Sequence, residues 1–400
     1  MKVVIVSSLG RESSTFLGRL LPLSKELAKK GVKVKLFLLH YKYRFCVQKR
    51  FQEEKGVTSC YLGQAAFFKD ERSKQYFPFL KLLFVLKISS LRILWTLLKE
   101  KNIDAIIVSK PHPHNFTPAI LAAKLKRVKL ILDSDDLEYA SNKKVTPFQK
   151  FILKLTEKVG VKFCDHILAC SPFLVEHYKK LGVAEQKITF IPTGIDLSLK
   201  KEVLKDKRDI KKEFGLPQDE KIILYLGSLS IASGHRLDIL LTAFKKVAER
   251  IDNVFLVIGG SGEDYFFLKE KVKSLKINQK VKFLGRFVQE NAFPLIKIAD
   301  VVADPVDRSP TNKAKSSFRL TEAMYFQKPY VSLNSGIQKY FGYGFLVEEE
   351  TSSAFAGALE KVLLDKGLKE KITSISFEKI KKITFPYLAE KVYEILKAPK

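Results

Sequence analysis

The sequence predicts an α/β protein of two doubly wound domains, each a parallel sheet covered by helices. Three observations carry this. Four hundred residues exceed what one small core holds and, at about 100–200 residues per domain, divide into two. Short β-branched runs alternate with stretches of helical periodicity along both halves, the pattern of βαβ units. After Pro192 a charged, irregular run over 199–215 offers many lysines and few buried anchors, which marks a junction. The boundaries are therefore drawn at 1–196 and 197–384, with a final helix over 385–400 that is a candidate to cross back to the first domain.

In the first half the β-branched runs predict strands at Lys2–Val6, Lys33–Leu38, Ala105–Val108, Lys129–Leu132, His166–Ala169 and Lys187–Phe190. Between them the periodicity predicts helices at Ser14–Lys29, Phe79–Lys99, Pro118–Lys124, Pro147–Val161 and Pro172–Lys180. The second half repeats the alternation, with strands at Lys221–Leu226, Val254–Ile258, Lys280–Leu284, Val301–Ala303 and Tyr330–Leu333. Ligands of such sheets sit beyond the carboxyl ends of the strands, so the loops there carry the candidate chemistry.

An apolar fraction of 46% with 15 Pro and 20 Gly excludes a disordered or fibrous chain. The charge is less ordinary: 71 basic against 43 acidic residues give +28, which points to a phosphate-bearing or otherwise anionic partner. Residues 1–200 hold 36 of the basic and 17 of the acidic residues, so the excess is concentrated in the first half. No helix-turn-helix, zinc or RNP-like signal accompanies it, so nucleic acid is not expected. Cys46, Cys60, Cys164 and Cys170 form no CxxC pair, which argues against a zinc site and for a reduced, cytoplasmic compartment. Residues 1–10 read as a strand and turn rather than a leader. The stretch from Phe77 to Leu98 is basic and rich in aromatics. Lys81, Lys87 and Arg92 interrupt it, so it suits either a buried helix or an interfacial one and does not suit a span.

Two strands end in glycine, at Gly227-Ser228 and at Gly259-Gly260-Ser261-Gly262. Glycine there lets backbone N–H groups approach a phosphate, although such turns also use glycine for steric reasons alone. His235 and Arg236 open the helix after the first loop, where a bound anion would offset their charge. Farther on, Lys315, Arg319 and Glu322 fall near one helix start, with Arg319 and Glu322 three apart on one face. A carboxylate accepting two ribose hydroxyls beside cations that neutralise phosphates suits a nucleotide diphosphate; a solvated surface ion pair is the alternative.

The run Val281-Lys282-Phe283-Leu284-Gly285, Ala299-Asp300, Pro305, Glu322-Ala323-Met324 and Lys328-Pro329 resembles the donor half of the retaining GT-B glycosyltransferases of family 4. Ile191-Pro192-Thr193-Gly194-Ile195-Asp196 is similar to the junction of that family. The resemblance implies a nucleotide-sugar donor on the second domain, an acceptor on the first, retention at the anomeric carbon, and no metal or other cofactor. It assigns Gly227, Ser228, Arg236, Gly259, Gly262, Lys315, Arg319 and Glu322 to the donor. Arg319 also stabilises the leaving diphosphate. Two departures stand out. The first of the family's paired glutamates falls on Ala314, and the Arg and Lys that follow its glycine loop fall on Ser228 and Ser233.

In the first domain Asp135 and Asp136 align with the family's His-Asp pair, which makes them candidates to orient the acceptor hydroxyl or take its proton. A helix-capping role is the alternative, and a metal-binding Asp-x-Asp reading of Asp133 and Asp135 suits another fold. Gly10 and Arg11 after the first strand, and His112 and His114 on a later loop, are assigned to the acceptor, with the histidines expected to be solvated. The basic first half further implies an acceptor at an anionic membrane surface, lipid-linked or part of a cell-surface polysaccharide or lipopolysaccharide, and a cytoplasmic, peripheral location. Two rivals remain: a GT-B protein that binds without turnover, and a nucleotide-sugar epimerase of the same architecture. The oligomeric state is left open.

Overall fold

A computed structural model describes residues 1–45, 50–69, 74–141, 146–196, 209–286, 292–333, 336–375 and 377–400. Cys46, Asn142 and most of the charged junction lie outside them. The chain forms two units, one of Met1–Gly194, Ala314–Ser316 and Phe385–Lys400, the other of Ile195–Lys313 and Ser317–Thr384.

Among the described residues the first unit contains ten strands: β1 (Lys2–Ser7), β2 (Lys33–His40), β3 (Phe51–Glu54), β4 (Val57–Gln64), β5 (Phe67–Lys69), β6 (Lys74–Tyr76), β7 (Ala105–Ser109), β8 (Lys129–Ser134), β9 (His166–Ala169) and β10 (Ile188–Phe190). Eight of them form one sheet in the order β10-β9-β8-β7-β1-β2-β4-β3, parallel except for β3 on the edge. β5 and β6 pair as a separate antiparallel ribbon. Its helices are α1 (Leu21–Lys29), α2 (Phe79–Lys99), α3 (Pro113–Lys126), α4 (Glu138–Ser141), α5 (Pro147–Gly160) and α6 (Pro172–Lys180). The helix predicted from Ser14 starts there and passes through a π-helical turn, Phe16–Leu20, before continuing as α1. β3 and β4 escape the sequence reading because Phe51-Gln52-Glu53-Glu54 is mostly polar and β4 mixes Ser and Thr with Val and Tyr.

One face of this sheet packs on α1 and the C-terminal helix Phe385–Lys397, through Leu23, Leu27, Leu388 and Val392. The other packs on α2, α3 and α6, through Ile93, Leu97, Phe116, Ala119 and Tyr178. The central strands are buried on both faces, which is why they read as unbroken apolar runs.

The second unit holds β11 (Lys221–Leu226), β12 (Val254–Gly259), β13 (Val281–Gly285), β14 (Val301–Asp304), β15 (Tyr330–Leu333) and β16 (Phe345–Val347). Its sheet is parallel, in the order β13-β12-β11-β14-β15-β16. That is the doubly wound Rossmann order, two three-stranded halves whose direction of growth reverses between β11 and β14. The first sheet reverses likewise between β1 and β7. Chain connections leave these two adjacent strands on opposite sides of the sheet, opening a crevice at their carboxyl ends.

Candidate functional site

At the reversal point of the first unit, Ser7, Ser109 and Asp133 lie side by side in the ladder. Just beyond them the chain turns sharply at Lys110, whose φ of 67° is left-handed, although proline follows. A non-glycine residue in that region costs about 1–3 kcal/mol and is kept only where its surroundings hold it. Those surroundings are three carboxylates. The Lys110 ammonium lies 2.6 Å from Glu138, 3.1 Å from Asp135 and 4.0 Å from Asp136. Their negative charges hold the Lys110 pKa well above its ordinary value despite its burial.

Glu138 also meets His112, with Nε2 2.9 Å from its second oxygen, while His112 Nδ1 lies 2.9 Å from the Ser8 hydroxyl. Lys110 and His112 hold the Glu138 carboxyl far below the usual range against its burial, so it only accepts. His112 Nε2–H therefore donates to Glu138, and in the neutral ring Nδ1 accepts from Ser8. Asp135 receives a hydrogen bond from Thr15 at 3.0 Å. Asp136 accepts the backbone N–H of Leu137 at 2.8 Å. Burial pushes its pKa up to about 6, with Lys110 and Lys315 opposing and Glu138 assisting. Lys315 belongs to the short piece Ala314–Ser316 of this unit. That piece is anchored where Ser171 donates to the Ala314 carbonyl at 2.8 Å and the Thr193 N–H donates to the Ser316 hydroxyl at 2.9 Å.

Asp133, beside this cluster, is paired elsewhere. It is clamped by Arg19, whose guanidinium also donates to the carbonyls of Ile191 and Pro192. The pair is buried and structural. It ties the first helix, β8 and the chain leaving β10.

One acceptor-side expectation, that the two histidines are solvated, is corrected. His114 is not a solvated loop residue: it lies in the first turn of α3, buried, with its ring stacked on His112, and burial lowers its pKa to about 3. His112 is half-buried and bonded at both nitrogens. Arg11 is engaged with the sheet edge. It donates to the Ser59 hydroxyl at 2.7 Å and carbonyl at 2.8 Å and stacks over Tyr61. Gly10 beside it leaves a Cβ only 2.7 Å from Glu12 and 3.0 Å from the Leu39 carbonyl, so it is glycine for space.

In the second unit the glycines at the strand ends pack the two loops on each other. The Gly227 N–H donates to Gly259 at 3.0 Å, the Leu229 N–H to Ser261 at 3.1 Å, and the Gly260 N–H to Gly285 at 2.8 Å. A Cβ on Gly260, whose φ is 149°, would sit 1.8 Å from the Gly227 carbonyl, and one on Gly262 would sit 2.1 Å from that of Leu229. The steric reading of these glycines therefore holds, and the Gly227 N–H is already committed. Ser228 offers its carbonyl to the buried Tyr225 hydroxyl, which also meets His235. Arg236 is held bidentately by Asp238 at 3.0 and 2.8 Å.

Across the reversal point, the β14 end residue Asp304 accepts from the hydroxyls of Tyr330 and Ser317. Ser317 also caps the helix Phe318–Tyr325, accepting the Leu320 N–H. On that helix Arg319 pairs with Glu322. The surface-pair alternative fails here: Glu322 is only 3% exposed, and burial lifts its carboxyl to about 7 against the pull of Arg319. The unit thus offers a poorly hydrated carboxylate with one cation beside it, suited to accepting neutral hydroxyls.

Sequence reading missed Lys110, Glu138, Ser8, Thr15, Tyr225, Tyr330 and Asp304. A signal for the first existed: four carboxylates between Asp133 and Glu138, placed at a buried strand end, require a cation from a neighbouring strand.

Residues 19–199 match the family described as Glycosyltransferase Family 4, and residues 206–378 that described as Glycosyl transferases group 1. Together they take in most of the chain. An uncharacterized glycosyltransferase of Methanocaldococcus jannaschii is 30% identical over 220 residues, 53% of this chain and 54% of that protein. The match thus spans about half of the relative's length. Among solved structures, sucrose-phosphate synthase of Thermosynechococcus elongatus superposes with a TM-score of 0.75 at 17% identity, over 99% of this chain and 98% of the other. The Anabaena protein HepE in complex with UDP and glucose gives 0.71 at 17% identity, over 99% of each chain. At such identities the likeness shows the fold.

Proposed function

Because the chain belongs to the group 1 glycosyl transferases and has their two Rossmann-like GT-B sheets, we propose that it moves a sugar from a nucleotide-sugar donor to an acceptor hydroxyl with retention. The observation that carries the donor half is the buried Glu322–Arg319 pair on the helix that follows β14, near the reversal point of a doubly wound sheet. Glu322 accepts the ribose hydroxyls, and Arg319 and Arg236 meet the diphosphate. HepE was solved with UDP, which makes a uridine nucleotide sugar the first donor to try.

In the proposed step the acceptor oxygen forms a bond to the anomeric carbon as the bond from that carbon to the diphosphate oxygen breaks. The acceptor proton passes to the leaving phosphate oxygen on the same face, which retains configuration without a protein nucleophile or a metal. Cations at the diphosphate stabilise the charge that develops there. Asp136, as a carboxylate, accepts the acceptor hydroxyl and orients it, and Asp135, fixed by Lys110 and Thr15, completes the acceptor cluster. The basic first half supports a lipid-linked or cell-surface glycan acceptor. The rival reading, binding without turnover, draws on Ala314, which is fully buried where the family has a glutamate.

A screen of thermal stabilisation by UDP, GDP, ADP, CMP and dTDP and their sugars, on wild type and Glu322→Ala, tests the donor assignment. Ligand at a hundred times its Kd stabilises by about 2.7 kcal/mol. One nucleotide raising the melting temperature of wild type and not of the variant supports the reading. No shift at millimolar ligand overturns it, and donor hydrolysis without acceptor transfer moves the protein to an epimerase or hydrolase activity.

A further inference from the structure

α2 carries two apolar stripes on opposite sides. Leu82, Ile93 and Leu97 face the sheet and are buried. Leu80, Phe84, Leu91, Trp95 and Leu98, spaced four, seven, four and three apart, line the opposite side, and all are exposed. Only one stripe is needed to hold the helix on its sheet.

The neighbouring helices repeat the arrangement. α3 packs beside α2, and α5 beside α3. On α3, Leu121 and Leu125 point outward, one turn apart. On α5, Phe148, Phe151, Leu155 and Val159 form an outward stripe while Glu157 and Gly160 are buried. Phe84, Trp95, Leu125, Phe148 and Phe151 are each at least 60% exposed. Scattered apolar side chains are ordinary on a surface, but exposed apolar stripes on three helices packed one beside the next exceed scatter and mark a candidate interaction surface.

The charges around the patch decide among occupants. α2 holds Lys81, Lys87, Arg92 and Lys99 and no acid. α3 holds Lys124 and Lys126 and no acid, and α5 holds Lys150, Lys154 and Lys158 with Glu157 as its single acid, turned inward. Several of the cations lie along the aromatic rings, with the Lys99 ammonium 3.7 Å from the Trp95 ring centre and that of Lys124 3.8 Å from Phe163. A second copy of the chain would bring the same positive charge against this face and be repelled. Among the described residues no helix is long and apolar enough to cross a membrane. Apolar stripes flanked by lysines on helices that do not span match the physics of a surface lying in the headgroup layer.

We propose that the outer face of α2, α3 and α5 docks on an anionic lipid bilayer, lying in its interface without crossing it. Its purpose, though not its geometry, rests on the lipid-linked acceptor proposed above. The aromatic and leucine side chains enter the acyl boundary and the lysines meet lipid phosphates.

Co-sedimentation with vesicles of phosphatidylcholine, with and without phosphatidylglycerol, tests this on the full chain. Wild type should bind the anionic vesicles and release them as salt rises. Phe84→Ser/Trp95→Ser/Phe151→Ser should lower partition at least about tenfold, and Lys81→Gln/Lys87→Gln by about fivefold per charge. Both sets alter exposed positions, so an unchanged melting temperature shows that they fold. No binding to anionic vesicles, binding unaffected by the variants, or a dimer that the serine variants abolish overturns the proposal. Glu322→Ala should bind vesicles as wild type does, so loss of the donor reading and loss of the docking reading remain distinguishable.

Discussion

Replacing Lys110 by Met asks whether one buried cation holds the carboxylate cluster of the first unit together. Lys110 is 7% exposed and faces Glu138 at 2.6 Å, Asp135 at 3.1 Å and Asp136 at 4.0 Å. Removing one partner of a buried ion pair costs about 3–5 kcal/mol, because the other charge is left uncompensated. Met keeps the length of the stem and must adopt the same left-handed φ of 67°, so backbone strain is common to both proteins and cancels. The variant can relieve its carboxylates only by protonating them, which raises their folded pKa values above the unfolded ones near 4. A carboxyl raised in this way binds more protons when folded, so the variant loses stability as pH rises from about 4 through those raised values. Wild-type Glu138 behaves oppositely. Its folded pKa is depressed, so its contribution is present above the unfolded value and lost on acidification. The two effects add: the difference between the proteins should be about 3–5 kcal/mol at pH 7 and shrink toward pH 4. Trp95 is the single tryptophan and lies in this unit, so its fluorescence in urea follows the relevant transition. A difference below about 1 kcal/mol at pH 7, or one that does not change with pH, would show that solvent screens the cluster and would refute the reasoning.

Other expectations follow from the same geometry. With the Asp136 pKa near 6, kcat/KM for transfer should fall about tenfold per unit below pH 6 and level off above it. Asp136→Asn should remove that limb and lower the rate about a hundredfold or more, and an unchanged limb in the variant assigns it to another group. Gly260→Ala should destabilise the second unit by about 3 kcal/mol, since its Cβ meets backbone at 1.8 Å. A calorimetric transition shifted by less than about 1 kcal/mol would mean that the two loops separate easily. Arg19→Leu leaves the buried Asp133 unpaired and should cost about 3–5 kcal/mol, with Asp133→Asn in the same background restoring part of it.

What could be read from the chain alone follows the range of the forces involved. Strand β11 and helices α2 and α6 fall where periodicity put them, to the residue, because local burial pattern and proline placement define them. β3 was invisible because an exposed edge strand need not be apolar, and β4 because its buried positions include Ser59, Cys60 and Gly63, which break the apolar run. Arg319 and Glu322 were legible as a pair, since three residues of helix bring them together; the burial that lifts Glu322 to about 7 was not, because it comes from packing. The glycine loops show the limit most clearly. Gly227 and Gly260 signal a place where backbone approaches something closely, and the sequence offers a phosphate as that something; the structure supplies the other loop. Lys110 is the converse case. Nothing local to a Lys-Pro step suggests a left-handed lysine, and only the carboxylates that follow the neighbouring strand, itself in register through Ser109 and Asp133, make that conformation worth its strain.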